Sequence, residues 1–350
     1  MDVLPEPKHR RGTGTGILLV NLGTPEAPTA PAVRRYLRQF LSDPRVVEIP
    51  RAIWLPILYG VVLTTRPMKS ARKYASIWSP EGSPLMVHTR EQARLLRRRF
   101  ESPSRPPVTV DFAMRYGEPS IRSTLSRLNS KGCERILIIP MYPQYAASTT
   151  ASVQDEVSRF GQHVRNVPEI RVVKHFSDDP GYVASLANLV QDYWRKSGRP
   201  EKLIMSFHGL PRYAIERGDP YRDECETAAR LLARELALTD EQWQIAFQSR
   251  FGRTEWIGPY TASTLADCGR RGLRRVDVVC PGFVADCLET LEEIGIEGKA
   301  IFHASGGREF HLLPCLNERD DWIGALEAIA RQNLVGWIDS PGDPGSAGAG

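Results

Sequence analysis

The chain has 350 residues, more than one hydrophobic core usually organises, so two domains or a repeated unit are expected. Hydrophobic residues at 41% and charged residues at 25% are the balance of an ordinary soluble globular protein and exclude disorder for most of the length. Lys plus Arg at 46 against Asp plus Glu at 41 leaves +5, too small an excess to imply a nucleic-acid partner, though it suits anionic ligands or an acidic membrane surface.

Short apolar runs alternate with amphipathic patterns along the chain. Strands are predicted at 17–22, 108–114, 135–140, 171–176, 203–207, 244–248, 276–280 and 299–303. Helices are predicted between them at 32–41, 87–100, 119–129, 152–162, 181–196, 221–236 and 262–269, with a last one at 316–331. Such alternation calls for right-handed crossovers and parallel sheets. The eight strands fall into two groups of four with a break near residue 178. The expected fold is therefore α/β, with two Rossmann-like lobes, each carrying a four-stranded parallel sheet, at 14–178 and 179–317. A C-terminal helix at 318–337 would cross back to the first lobe. The polar residues 1–13 and the Gly-, Pro- and Ser-rich tail 338–350 are expected to be disordered.

The first strand ends in NLGTP, where a dinucleotide-binding fold would need G-x-G-x-x-G; only Gly23 is present. The glycines of GTGTG at 12–16 read as preceding the strand, so a nucleotide site is weakly supported. The longest apolar stretch, IWLPILYGVVL, opens on Ile53 and closes on Leu63, too short for the roughly 20 residues of a bilayer span. Its Pro56 argues against a regular helix. With Trp54 and Tyr59 it reads either as an exposed lip or membrane-touching surface, or as a buried connecting segment.

YPQYAASTTAS at 142–152 sets tyrosines and hydroxyls before a helix. Thr149 or Thr150 would serve as a helix cap, while Gln144, Tyr145 and the hydroxyls together would suit the carboxylates of a ligand. KLIMSFHGLP at 202–211 places His208 at the end of a buried strand, where open α/β sheets bind ligands. A neutral imidazole there can take a proton or ligate a divalent metal. VVCPGFVADCLETLEEI at 278–294 then runs from a strand through a Pro-Gly turn into an acidic helix. Helical spacing puts Asp286, Glu289 and Glu293 on one face, either as ordinary first-turn acids or as a proton relay. The six cysteines, without CxxC or zinc spacing, read as reduced thiols of a cytosolic protein, and the polar N-terminus lacks the h-region of a secretory signal.

Taken together, NLGTP, YPQYAASTTAS, SFHGLP, FQSRFGRTEWIGP and PGFVADCLETLEEIGIE resemble the ferrochelatases in order and spacing, from about residue 16 to residue 331. The resemblance implies two lobes facing a porphyrin cleft and insertion of ferrous iron into the bound macrocycle. It implies that His208 is the catalytic histidine and Glu289 its acidic partner, both also metal-side groups, with Glu293 continuing the acidic path. Gln248 and Trp256 would line the cleft, and Tyr145, Ser148 and Thr149 would belong to the porphyrin-side loop.

Two departures from the family pattern are informative. Many relatives read D-H-x-E where this chain has Asp286, Cys287, Leu288 and Glu289, so a second metal-side histidine is missing. Position 22 is Leu, where members using coproporphyrin tend to carry Tyr; this implies protoporphyrin IX as substrate and protohaem as product, the terminal step of haem biosynthesis. Some relatives hold an iron-sulfur cluster through C-terminal cysteines, but none follows Cys315, so no cluster and no permanent cofactor is expected, with Fe2+ a substrate. The expected setting is a cytoplasmic monomer, with peripheral contact at the inner membrane face through 53–63. The open alternatives are a coproporphyrin III ferrochelatase, a cobalt or nickel chelatase, and a non-catalytic tetrapyrrole carrier. The acidic stripe argues against the carrier, which needs no exit for protons.

Overall fold

The computed structural model describes residues 14–101, 108–250, 252 and 254–338. The expected disorder at 1–13 and 338–350 lies outside the described residues except for Ile338, which is buried. Among the described residues, eight strands build two parallel sheets. The first holds β1 (Gly14–Gly23), β2 (Val108–Tyr116), β3 (Cys133–Pro140) and β4 (Glu169–Val172) in the order β2-β1-β3-β4. The second holds β5 (Lys202–His208), β6 (Trp243–Gln248), β7 (Arg275–Val279) and β8 (Glu309–Leu312) in the equivalent order β6-β5-β7-β8. Each sheet therefore reverses its winding beside its first strand, and the crevice beyond the carboxyl ends of the strands at that point is where such sheets place ligands.

The central strands are apolar because both faces are covered. Ile17, Leu18, Leu19 and Val20 are all fully buried, and alternate side chains enter different cores. Ile17 and Leu19 join Leu203, Met205 and Phe207 of the second sheet in one large cluster. Leu18 and Val20 pack on the outer helices of the first lobe, and Ile204 on those of the second. The shared cluster is filled by the helices Pro180–Ser197 and Asp320–Asn333, which pack on each other. The second of these also touches the helix Pro84–Phe100 and β3, so this helix returns to the first lobe.

Several local expectations are corrected. Residues 299–303 form part of the helix Lys299–Ala304, and the eighth strand lies later, at Glu309–Leu312. A short apolar run such as KAIFH carries no period that separates helix from buried strand. Gly14 and Gly16 lie inside β1, paired with β3, rather than ahead of it. Pro56 sits within the helix Arg51–Ile57, which widens at once into the π-helix Leu58–Val62 before the α-helix Leu63–Ile77. Pro56 has no N–H to give to the carbonyl of residue 52, and the helix leaves α geometry directly after it. This segment satisfies both readings of 53–63: Trp54, Leu58 and Leu63 are buried, while Ile53, Ile57, Tyr59 and Val61 are exposed.

Trp322 is the largest fully buried side chain and stacks on Phe176, centroids 5.8 Å apart, with Tyr182 meeting its ring edge-on at 6.0 Å. Because it joins the last helix to the segment between the lobes, Trp322→Ala should destabilise the whole chain by about 3–5 kcal/mol. Denaturant unfolding checks this, and a loss below about 1 kcal/mol would contradict a shared core.

Candidate active site

His208 is the last residue of β5 and pairs in register with Gln248, the last residue of β6. The chain then turns at Gly209, whose N–H donates to the Gln248 carbonyl at 2.8 Å. A Cβ at Gly209 would stand 2.8 Å from that carbonyl and 3.1 Å from the Trp256 ring, so only glycine permits this approach. The Nδ1 of His208 lies 2.7 Å from the Gly209 carbonyl. A carbonyl can only accept, so Nδ1 carries the proton and Nε2 of the neutral ring keeps its lone pair for chemistry. The Trp256 ring lies 6.4 Å from the imidazole, and its buried indole N–H has no hydrogen-bond partner among the described residues.

Glu289 and Glu293 lie on the π-helix Glu289–Gly298, which continues directly into the helix Lys299–Ala304. π-Turns usually occur singly and often at functional sites, so a ten-residue run is exceptional. Asp286 does not share their face, as helical spacing suggested. It precedes the helix, where its carboxylate accepts from the Asn317 amide at 2.7 Å, the Thr290 hydroxyl at 3.0 Å and the Cys315 N–H at 3.3 Å. It is a structural anchor of the turn.

Glu293 accepts from both the N–H and the hydroxyl of Ser249. Ser249 adopts a left-handed backbone, φ +65°, that directs both donors at one carboxylate. Burial pushes the Glu293 carboxyl above the ordinary range; the Ser249 donors and the nearby His208 pull the other way, and Glu289 adds a like charge. Glu293 is thus within electrostatic reach of both His208 and Glu289. Around Glu289 stand Tyr36 and Tyr74, whose hydroxyls are held neutral by burial and, in part, by its charge. Lys73 bridges Glu292 at 2.9 Å and Glu297 at 2.6 Å, tying the helix Leu63–Ile77 to the π-helix.

Leu22, near the end of β1, packs with Leu85, Ala285 and Cys287, facing the turn that leads to Glu289. The loop after β3 is held differently from the other predicted site residues. Tyr145 and Ala147 give their N–H groups to Glu224 and Asp219, both at 2.7 Å, and the Tyr145 ring lies under Lys174. Its surroundings are Arg45, Asp155, Asp219 and Glu224 rather than His208 or Glu289. Thr149 bonds locally to the Ala146 carbonyl and caps nothing; the helix Ser152–Gly161 has no side-chain cap. Ser148 is half-buried in the same π-turn. From this loop it is Tyr142 that turns towards Tyr116 and Arg115, beside the buried cluster of Asp43, Arg115, Tyr116 and Ser152.

The residues that sequence reasoning missed are Tyr36, Tyr74, Lys73 and Ser249. Ser249 stood inside a recognised motif, but the others carried no local signal, since they reach the acids only through tertiary packing.

The ferrochelatase family model matches residues 14–334. The chain belongs to the ferrochelatase family. Curated relatives named ferrochelatase include that of Azoarcus sp. (strain BH72), 63% identical over 95% of this chain and 92% of its own length. That of Aromatoleum aromaticum is 59% identical over 96% of this chain and 93% of its own. The fold is similar to that of SirB from Bacillus subtilis with Fe3+, at a TM-score of 0.53 and 13% identity, covering 91% of this chain and 95% of that one. The chain is therefore a chelatase enzyme that inserts metal into a porphyrin, and the non-catalytic carrier falls away.

Ser249 supports the ionised form of Glu293, so Ser249→Gly, which removes the hydroxyl and eases the backbone, should raise the Glu293 pKa further. A carboxyl NMR titration checks the direction, and an unchanged or lower pKa would contradict it.

Proposed function

We propose that this ferrochelatase inserts Fe2+ into protoporphyrin IX, yielding protohaem in the last step of haem biosynthesis. The observation that carries the substrate is Leu22. Its side chain is half-buried against Leu85, Ala285 and Cys287 on one side and the cluster of Tyr36, Tyr74 and Tyr116 on another, and is itself hydrocarbon with no donor where a coproporphyrin-type Tyr would bring a hydroxyl. Coproporphyrin III carries propionates where protoporphyrin IX carries vinyl groups, and a carboxylate facing such a wall loses its water without a partner.

In this reading the porphyrin lies between the carboxyl ends of the sheets, and iron replaces both pyrrole protons. Binding energy from the rest of the ring bends the macrocycle so that nitrogen lone pairs face the metal. His208, with Nε2 free, takes each of the two pyrrole protons in turn, and between transfers, when its lone pair is free again, it and the Glu289 carboxylate suit a ferrous ion. Glu293, whose proton affinity burial raises, passes the proton from His208 towards solvent. Trp256 forms an apolar wall beside the imidazole. Tyr145, Ser148 and Thr149 act as the porphyrin-side loop, a role that rests on the family motif.

We also assign no resident cofactor. Cys280, Cys287 and Cys315 are all buried, and among the described residues no three metal-ligating side chains are placed together as a cluster would need. No helix of the described residues is long and apolar enough to cross a membrane. Six of the nine large hydrophobic side chains exposed among the described residues, Ile49, Ile53, Ile57, Tyr59, Val61 and Met68, fall on one short segment. We propose a cytoplasmic monomer that rests this ridge on the inner membrane face; the concentration supports the membrane contact, since the other three are scattered.

Anaerobic iron insertion followed by porphyrin absorption should be faster, per kcat/KM, with protoporphyrin IX than with coproporphyrin III. Leu22→Tyr should narrow the gap, and a native preference for coproporphyrin III would overturn the assignment. Replacing both Ile53 and Val61 by Glu should abolish co-sedimentation with anionic vesicles while leaving turnover on dispersed porphyrin intact; undiminished sedimentation would remove the membrane contact.

A further inference from the structure

Gln248 joins the two halves of the active site through three separate contacts. Its backbone carbonyl receives the Gly209 N–H at 2.8 Å, and the Gly209 carbonyl in turn fixes the His208 imidazole at 2.7 Å. Its side-chain Nε2–H donates to the backbone carbonyl of Glu289, the first residue of the π-helix, at 2.7 Å. Its Oε1 accepts from the Ser206 hydroxyl at 2.7 Å, and Ser206 is joined to Thr261 at 2.8 Å. The side chain is buried, 4% exposed, and these partners occupy both ends of its amide. Each end of the amide is already engaged inside the protein, which points to an internal role beside the cleft-lining one the motif suggested.

The chemistry of the amide matters here. An amide donates to the Glu289 carbonyl with one end while accepting from the Ser206 hydroxyl with the other, which an apolar side chain of the same volume cannot do. The contact also falls on the first residue of the π-helix, a geometry that often marks functional sites. We propose that Gln248 is a positioning residue for metal insertion, holding the start of the π-helix, and with it Glu289, in fixed relation to His208. This rests on the reading of His208 and Glu289 as the reacting pair. In this role Gln248 acts through Glu289; it sets the separation across which proton and metal are exchanged.

The test compares Gln248→Met, which keeps the volume and loses both hydrogen bonds, with Gln248→Glu, alone and in a Glu289→Gln background. Each variant is assayed for anaerobic iron insertion and for the Kd of metal-free protoporphyrin IX. Gln248→Met should lower kcat by about 10²-fold, the scale of a reacting group displaced by about 1 Å, with porphyrin Kd unchanged, which also shows the fold to be intact. Gln248→Glu should recover activity relative to Gln248→Met as pH falls, because the protonated carboxyl again donates to Glu289 while accepting from Ser206. In the Glu289→Gln background, Gln248→Met should add less than about threefold, as expected for residues acting as a unit. A weakened porphyrin Kd that accounts for the lost activity, or a full additional loss in the Glu289→Gln background, would overturn the inference. Wild-type turnover of Glu289→Gln alone would instead remove the catalytic reading beneath it.

Discussion

The hydrogen bond from the His208 ring to the Gly209 carbonyl is the constraint on which the site depends. It selects the tautomer, turns Nε2 outwards and is possible only because glycine lets the backbone pass close to Gln248 and Trp256. A parallel strand buried on both faces opens to a ligand at its carboxyl end, where His208 stands. The apolar core beneath, shared by the two sheets, fixes where that end lies relative to the other lobe.

Facing the imidazole is a helix whose geometry is unusual and whose acids are unequal. Asp286 is held by the turn, Glu292 and Glu297 by Lys73, and Glu293 by Ser249, which leaves Glu289 surrounded by tyrosines. Like charges on one helix repel, and the structure answers by giving the others fixed partners of their own. Glu293, whose carboxyl burial pushes up, lies within electrostatic reach of His208, an arrangement that suits the proposed passage of a proton between them.

Much of this was legible beforehand, for physical reasons. Seven of the eight strands were placed because buried parallel strands are compact apolar runs bounded by turn residues, and His208 stood out as a polar residue ending such a run. The run at 299–303 misled because apolar content without a period fits helix and strand alike. The π-helix has no sequence signature, so α-helical spacing placed Asp286 wrongly in the acidic stripe. Ser249 and Gln248 were visible as motif residues, but their work depends on a left-handed backbone and on cross-strand pairing that composition does not record. Tyr36, Tyr74 and Lys73 come from distant helices and enter only when the first lobe closes on the π-helix.

The central claim is that the Nε2 of His208 performs exchange chemistry on a bound porphyrin. It is tested most directly by His208→Ala mixed with protoporphyrin IX and anaerobic ferrous iron, with the porphyrin absorption bands followed in time. The account predicts that the variant folds and binds porphyrin with native affinity while turnover falls by at least about 10²-fold, the lower end of a general acid-base contribution. Near-native conversion to haem would contradict it.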